Sequence, residues 1–501
     1  MSANRVGKRF GVSVSVWVLF QFSVFGCAGH SVARAPTAAA ESVSARVLGA
    51  SIAERFRLGV DDRMKAGLGF GYFAAIREKG QSSAVGAGDR TLEPVARMGE
   101  HDILEIGSVT KTFTGILIHL AVLDGKLRLD TKLEELLPTL RGSEAGGITI
   151  LDLGIHRSGL PREPIGITIP DPRNPRHGLD RNEVILALSK VKLSGIPEGE
   201  TQHRRNDSNW GFMTLGIVLE NLSGKAYPDL VDKRVLFPLG MRESGVDRKT
   251  RKHGKWMPKA SPGFALDGGS LPLRDYDGFS AATGGVESNA ADMVKFLAAL
   301  ENPPHGRLGQ AITDGMNSGI GWDSAPGANP VWKNGATTAH ASILVFDRVD
   351  KKGIFIGSNT MVSPDDLGFL AEGARTRDDL LALTLPKRIV SAEEIARLKG
   401  SFIPAAPIPV GYPPLRRVDL SETFGRLVAR FVYDVFSTGG LLIPEEKEFV
   451  WRFLDGMDNR DEIVLSSEGL TASTLMYRAP SIPAELKKVI NDPEKYPAIE
   501  K

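Results

Sequence analysis

The chain has 501 residues, too many for one ordinary domain and enough for two or three. Its 42% hydrophobic and 24% charged residues are those of a folded globular protein, which excludes disorder as the main state. With 62 Lys and Arg against 60 Asp and Glu there is no basic excess for nucleic acid, and a single cysteine excludes an intrachain disulfide framework, a Cys-rich zinc site and an iron–sulfur cluster.

Arg5, Lys8 and Arg9 precede an apolar run from Val12 to Phe25, shorter than the roughly 20 apolar residues of a membrane span. That layout predicts a secretory signal peptide over 1–27 and an exported, periplasmic protein. The run ends Val24-Phe25-Gly26-Cys27-Ala28. This resembles a bacterial lipoprotein box, with Phe25 larger than the residue usual there. Cys27 is then the expected lipidation site and membrane attachment. Ala33-Arg34-Ala35 is the alternative, an ordinary signal cleavage site, although Pro36 follows it. Residues 28–50, rich in Ala, Ser and Thr, read as a tether.

Folded character begins near Gly67. Gly69 to Arg77 and Gln81 to Gly86 read as strands about the turn Glu78-Lys79-Gly80. Gly107 to Leu123 reads as a helix, with Ile116, Leu120 and Leu123 on one buried face. Arg181 to Lys192 and Asn209 to Asn221 are further helices, the second stopping at Ser223-Gly224. Ala290 to Leu300 follows Asn289 as N-cap. Val331 to Lys333, Ser342 to Phe346 and Gly353 to Ser358 read as strands, the last two as a hairpin. Asp378 to Leu385 reads as a helix closing the unit. Strands, a helical middle, then strands again predict an α+β fold: an antiparallel sheet flanked by helices, with a helical lobe, over 51–390. Pro404, Pro407, Pro409, Pro413 and Pro414 mark a linker or irregular loop. Residues 391–501 are expected to form a small β-rich domain, with strands at Phe449 to Phe453 and Glu462 to Leu465.

Ser108 and Lys111 are the sharpest chemical signal. Three residues apart at a helix start, they share one face. A serine hydroxyl needs a base to take its proton, and a lysine among Phe113 and Ile116 loses proton affinity and can be that base. The bare pattern is weak, since Ser189 and Lys192 repeat it at the solvated end of a helix.

The surroundings are more specific. Leu104-Glu105-Ile106-Gly107-Ser108-Val109-Thr110-Lys111-Thr112-Phe113-Thr114 resembles the nucleophile motif of serine β-lactamases, class C in particular, and of D-alanyl-D-alanine carboxypeptidases. Gly125 to Asp130, Ile155-His156-Arg157-Ser158-Gly159-Leu160-Pro161, Leu222-Ser223-Gly224, Phe237 to Met241 and Gly284 to Ser288 match further landmarks of that family in order, across roughly Gly67 to Thr360. The resemblance implies the β-lactamase/transpeptidase-like fold. It also implies serine acyl transfer through an acyl-enzyme, on D-alanyl-D-alanine-type peptides or β-lactams; no cofactor is expected, and nine scattered histidines without an H-E-x-x-H pair argue against a metal. The run Pro170-Asp171-Pro172-Arg173-Asn174-Pro175 is more similar to the carboxypeptidase-like branch. Partners implied are a peptidoglycan peptide or a small amide or ester, with no nucleic acid.

Lys333-Asn334-Gly335-Ala336 stands where the family has a lysine–threonine–glycine triplet. Lys333 is the expected holder of a substrate carboxylate, Gly335 permits close approach, and the resemblance gives the N–H groups of Ser108 and Ala336 the oxyanion role. The family's tyrosine–x–asparagine motif is altered. Ser208 and Asn209 match, but Asp207 replaces the tyrosine. Asp207 acts as a replacement base, or Lys111 acts alone beside an electrostatic Asp207, or hydrolysis is lost and the chain is a peptide- or β-lactam-binding pseudoenzyme. All three readings are open here, as is an esterase or acyltransferase on the same fold. Asn209 is expected to contact a substrate amide or to cap its helix. His156 and His340 are expected to support loops near the site.

Overall fold

The computed structural model describes residues 51–65, 69–171, 174–193, 207–246, 260–265, 268–360 and 364, and the backbone of eight strands between 400 and 488. The expected signal peptide, Cys27, the tether, the helix at 378–385 and Pro407 to Pro414 lie outside the described residues.

Strands β1 (Gly71–Glu78), β2 (Gln81–Leu92) and β3 (Val95–Arg97) open the chain's main sheet, and β4 (Val331–Ala336), β5 (Ala341–Asp347) and β6 (Lys352–Ser358) close it. The order is β3-β2-β1-β6-β5-β4, antiparallel throughout. Tyr72 pairs with Ser358, so the sheet's centre joins the two ends of the domain and the helical middle is inserted between them, as expected.

On one face lie α2 (Thr110–Leu123), α4 (Asn209–Ser223) and α5 (Ala290–Glu301), with α3 (Arg181–Lys190) and α6 (Arg307–Ser318) completing the lobe. Nearly every residue of α2 is buried, and of α4 likewise. Helices apolar all round sit in a core. In α4 the cap is Ser208, whose Oγ accepts from Gly211 N at 3.1 Å, so Asn209 is left for other work. Gly224, left-handed at φ 66°, ends that helix as predicted. Asn289 caps α5 through Asp292 N.

A helix not anticipated, α1 (Ile52–Lys65), covers the other face. Its Ile52, Phe56 and Val60 recur every four residues and meet Tyr72, Ala74, Ile76, Ile343, Val345, Ile354 and Ile356. Burying each such large side chain contributes roughly 1.5–3 kcal/mol.

The C-terminal residues form a closed antiparallel barrel of eight strands: β7 (Gly400–Pro404), β8 (Leu415–Thr423), β9 (Arg426–Tyr433), β10 (Ser437–Pro444), β11 (Val450–Leu454), β12 (Glu462–Leu465), β13 (Thr474–Ala479) and β14 (Ile482–Lys488). Each pairs with the next, and β7 pairs with β14. Closure removes the exposed edges that short strands otherwise leave. Pro404 ends a strand here rather than opening a linker. No described helix is long and apolar enough to cross a membrane.

Candidate active site

The site forms where the start of α2 meets edge strand β4. Gly107 takes φ 51°, a left-handed turn that glycine adopts without steric cost, and directs Ser108 out of the helix start. A Cβ on Gly107 would lie 2.6 Å from Ala336 N; one on Gly335 would lie 2.2 Å from Ile106 O and 2.8 Å from Ser108 N. Both glycines are therefore required for turn and strand to touch. Ser342 on β5, opposite Gly335, donates to Ile106 O at 2.8 Å and holds the contact. Ala336 N and Ser108 N are among the atoms that the two missing Cβ groups would meet, so both backbone N–H groups belong to this contact.

Alternation along β4 decides what faces the helices. Val331, Lys333 and Gly335 are buried on one face, while Trp332 and Asn334 alternate to the face of Val345 and Ile343. The Asn334 side chain therefore shares the face of β4 opposite Lys333 and Gly335. The Asn334 backbone N–H donates to Asp323 Oδ2 at 3.1 Å.

Lys111 is fully buried, its ammonium 5.5 Å from the centre of the Phe212 ring. It donates to Ser108 Oγ at 2.7 Å and to Asn209 Oδ1 at 2.9 Å. Burial pushes its pKa down to about 7; Lys333 and Arg162 push the same way, and Asp207 opposes them. Near neutral pH a large share of Lys111 is the free amine, to which the Ser108 hydroxyl donates across the same distance.

Asp207 sits 3.8 Å from Lys111 Nζ, with its Oδ2 receiving a 3.0 Å bond from Arg162. Burial works against its charge, but Lys111, Lys333, His156 and Arg162 together hold the carboxyl well below the usual carboxylate range. So weak a base is poorly matched to taking a serine proton. His156 occupies a left-handed φ of 58° and accepts from Ser208 N at 3.0 Å through Nδ1. Burial keeps its imidazole neutral against the pull of Asp207, so Nε2 carries the hydrogen. That Nε2 is 2.9 Å from Asp207 Oδ1, off the line of a good hydrogen bond, which leaves both atoms without a well-aligned partner. His340 accepts from Glu105 N at 3.1 Å, and its Nε2 faces Ser261 O at 2.9 Å. Both histidines brace loops.

Sequence reading missed three acidic and basic partners. Glu163 accepts from Asn209 Nδ2 at 2.7 Å and pairs with Arg176, which fixes the Asn209 amide with its oxygen toward Lys111. Arg162 and Glu163 directly follow the landmark ending in Pro161, a local hint. Asp323 carries no such hint. It pairs with Lys333 at 2.5 Å, both side chains buried. Burial opposes the Lys333 charge, and Asp323 more than restores it, raising its pKa. The expected carboxylate holder is thus already engaged by a carboxylate of its own chain. Among the described residues no three His, Cys, Asp or Glu side chains converge to hold a metal.

A beta-lactamase of Providencia stuartii is 24% identical over 274 residues, 51% of this chain, and the match spans 65% of that relative's length. The octameric penicillin-binding protein homologue from Pyrococcus abyssi superposes with a TM-score of 0.56 at 19% identity, covering 87% of this chain and 100% of that one. A beta-lactamase/D-alanine carboxypeptidase from Pseudomonas syringae gives a TM-score of 0.53 at 18% identity, covering 65% and 99%. These likenesses show a shared fold. The family model described as Beta-lactamase matches residues 60–375, well over half of the sequence. On that match the chain belongs to the beta-lactamase family.

Proposed function

We propose that this protein is a serine hydrolase in which Ser108 is the nucleophile and Lys111 its base. The observation that carries the reading is the buried Lys111, with a pKa of about 7 and its Nζ 2.7 Å from Ser108 Oγ. Family membership and fold support a hydrolase of the β-lactam or peptide type.

The free amine of Lys111 takes the hydroxyl proton as Ser108 Oγ bonds to an amide or ester carbonyl carbon. The carbonyl oxygen becomes an oxyanion facing the Ser108 and Ala336 N–H groups, beside the start of α2. The C–N or C–O bond then breaks, and the Lys111 ammonium returns the proton to the leaving group. Water repeats the sequence on the acyl-enzyme. Asp207 stays ionised throughout and stabilises the Lys111 ammonium from 3.8 Å. It takes the electrostatic part, not that of a base. Asn209 orients Lys111 through its amide oxygen, and its side chain is the proposed contact for a substrate amide. Asn334 contributes backbone only, and Gly335 gives the substrate room along β4.

The substrates we propose are D-alanyl-D-alanine-type peptides or β-lactams outside the cytoplasm, reached through the export signal at Arg5 to Phe25 with Cys27 as lipid anchor. An esterase of the same mechanism is the second reading. It is favoured by Asp207, because an ester's leaving group needs less help from a phenolic acid than an amide's. Turnover of a penicillin, a D-alanyl-D-alanine peptide and a simple ester, each compared with Ser108→Ala, tests the proposal. Ser108-dependent loss of the ester alone selects the esterase, and loss of none with no adduct overturns both.

A further inference from the structure

A lysine amine has one lone pair. To act as base, Lys111 must aim that pair at the Ser108 hydroxyl and place its N–H bonds on other acceptors. Ser108 Oγ lies 2.7 Å from Nζ and Asn209 Oδ1 2.9 Å, with Asp207 Oδ1 at 3.8 Å. Asn209 is the neighbour able to spoil this arrangement. Its amide has two ends of nearly the same shape. The oxygen accepts an N–H from Nζ. The nitrogen, in the same place, would donate into the lone pair and compete with Ser108.

Which end faces Lys111 is decided on the far side of the amide. Asn209 Nδ2 donates to Glu163 Oε1 at 2.7 Å. An ionised carboxylate only accepts, so a turned amide would set oxygen against oxygen there. Glu163 is held in its turn. The buried Arg176 donates to Oε1 at 2.6 Å and reaches Oε2 at 2.5 Å. Burial works against the Glu163 charge, but Arg176 and Arg162 outweigh it and keep the carboxyl below its usual range. The backbone of Arg176 is tied as well, its carbonyl accepting from Ser280 Oγ at 2.6 Å. Hydrogen bonds thus run without a gap from Arg176 through Glu163, Asn209 and Lys111 to Ser108.

We propose that Glu163 is a positioning residue for acyl transfer: by fixing which end of the Asn209 amide faces Lys111, it reserves the Lys111 lone pair for the Ser108 proton. Glu163 touches neither the nucleophile nor the proton. The proton passes from Ser108 Oγ to Lys111 Nζ, and Asn209 only accepts. The role rests on the Ser108–Lys111 reading of the site and adds to it a residue that acts two contacts away from the nucleophile.

The test uses the full-length protein. Glu163→Met removes the acceptor and keeps the length of the side chain, while Glu163→Gln keeps an oxygen that Arg176 and Asn209 can share. Each is made alone and combined with Asn209→Ala. Single-turnover acylation by a reactive ester is measured from pH 4 to 9. The titration of Lys111 is followed separately by NMR of isotope-labelled lysine, its signal assigned by its absence in Lys111→Met. Glu163→Met is expected to lower the high-pH acylation rate about tenfold. It is also expected to move the Lys111 titration down by about one pH unit, because an amide N–H facing Nζ disfavours the ammonium. Glu163→Gln is expected to lose about threefold, and it carries the same comparison if Glu163→Met does not fold. In the Asn209→Ala background neither change at Glu163 has a further effect, since the influence passes through that amide. A parent-like rate and titration in the Glu163 variants overturn the positioning role and leave acyl transfer standing. Equal losses with and without Asn209 do the same, because they mark a structural effect of the loop. A Lys111 titration that moves with Glu163 only while Asn209 is present, in a protein that the ester does not acylate at Ser108, supports the positioning role and overturns the activity. An unmoved titration with no acylation overturns both.

Discussion

Replacing Asp207 by Asn separates a base from an electrostatic partner. The perturbation removes one charge and keeps the shape. In the structure that charge lies 3.8 Å from Lys111 Nζ and holds a proton there. Two unit charges about 4 Å apart interact by about 4 kcal/mol at an effective dielectric near 20. Arg162 neutralises much of the same carboxylate, whose side chain is partly open to solvent, so about a third to a half of that figure is left at Lys111. One pH unit corresponds to about 1.4 kcal/mol, so a displacement of about one unit is expected. The sign follows from which form reacts. The free amine of Lys111 is the active form, so acylation rises as pH increases through about 7 in the parent protein. Without Asp207 the ammonium loses its proton at lower pH, and the acid limb moves down. The assay is single-turnover acylation of Ser108 by a reactive ester from pH 4 to 9, followed by stopped-flow. An acid limb that stays put or moves up refutes the reasoning. So does loss of acylation at every pH in a folded Asp207→Asn protein, which would make Asp207 the base.

Three further outcomes follow from the geometry. Gly335→Ala puts a Cβ 2.2 Å from Ile106 O, so the Ser108 turn must shift; acylation should fall about a hundredfold or more, and an unchanged rate would show that turn and strand are not in contact. Asp323→Asn leaves the Lys333 ammonium buried without its partner and should cost about 3–5 kcal/mol in urea unfolding; a cost below about 1 kcal/mol would mean that the pair is solvated. His156→Ala orphans the buried Ser208 N–H, for an expected loss of about 1–3 kcal/mol, and a stability gain would place that N–H elsewhere.

The parts of the site legible in the sequence are those encoded locally. Ser108 and Lys111 meet because three residues span one helical turn. Lys333 and Gly335 share a face because strands alternate, and the same rule, applied to Asn334, would have placed its side chain opposite. Ser208 was open to reading as the cap in place of Asn209, since serine is strongly preferred there. The rest is long-range. Asp323 reaches Lys333 across a loop with no pattern of its own. Glu105 takes the backbone N–H of Arg274 only because the chain returns from the helical lobe past it. Helix α1 escaped notice because Arg55, Arg57, Asp61, Asp62 and Arg63 dilute its three core positions. What selects it is the apolar outer face of the sheet. The β character of the C-terminal domain is visible in Phe449 to Phe453 and Glu462 to Leu465, while barrel closure depends on β7 finding β14 over 80 residues away.

The central claim is that Ser108, activated by Lys111, forms a covalent acyl-enzyme. Intact-mass spectrometry of the purified protein, mixed briefly with a penicillin and separately with a reactive ester, addresses it directly. The account predicts one acyl group per chain from at least one reagent, located on the peptide containing Ser108, absent in Ser108→Ala and strongly slowed in Lys111→Met. An adduct of equal yield in Ser108→Ala, or no adduct with either reagent and no loss of reagent, would contradict it.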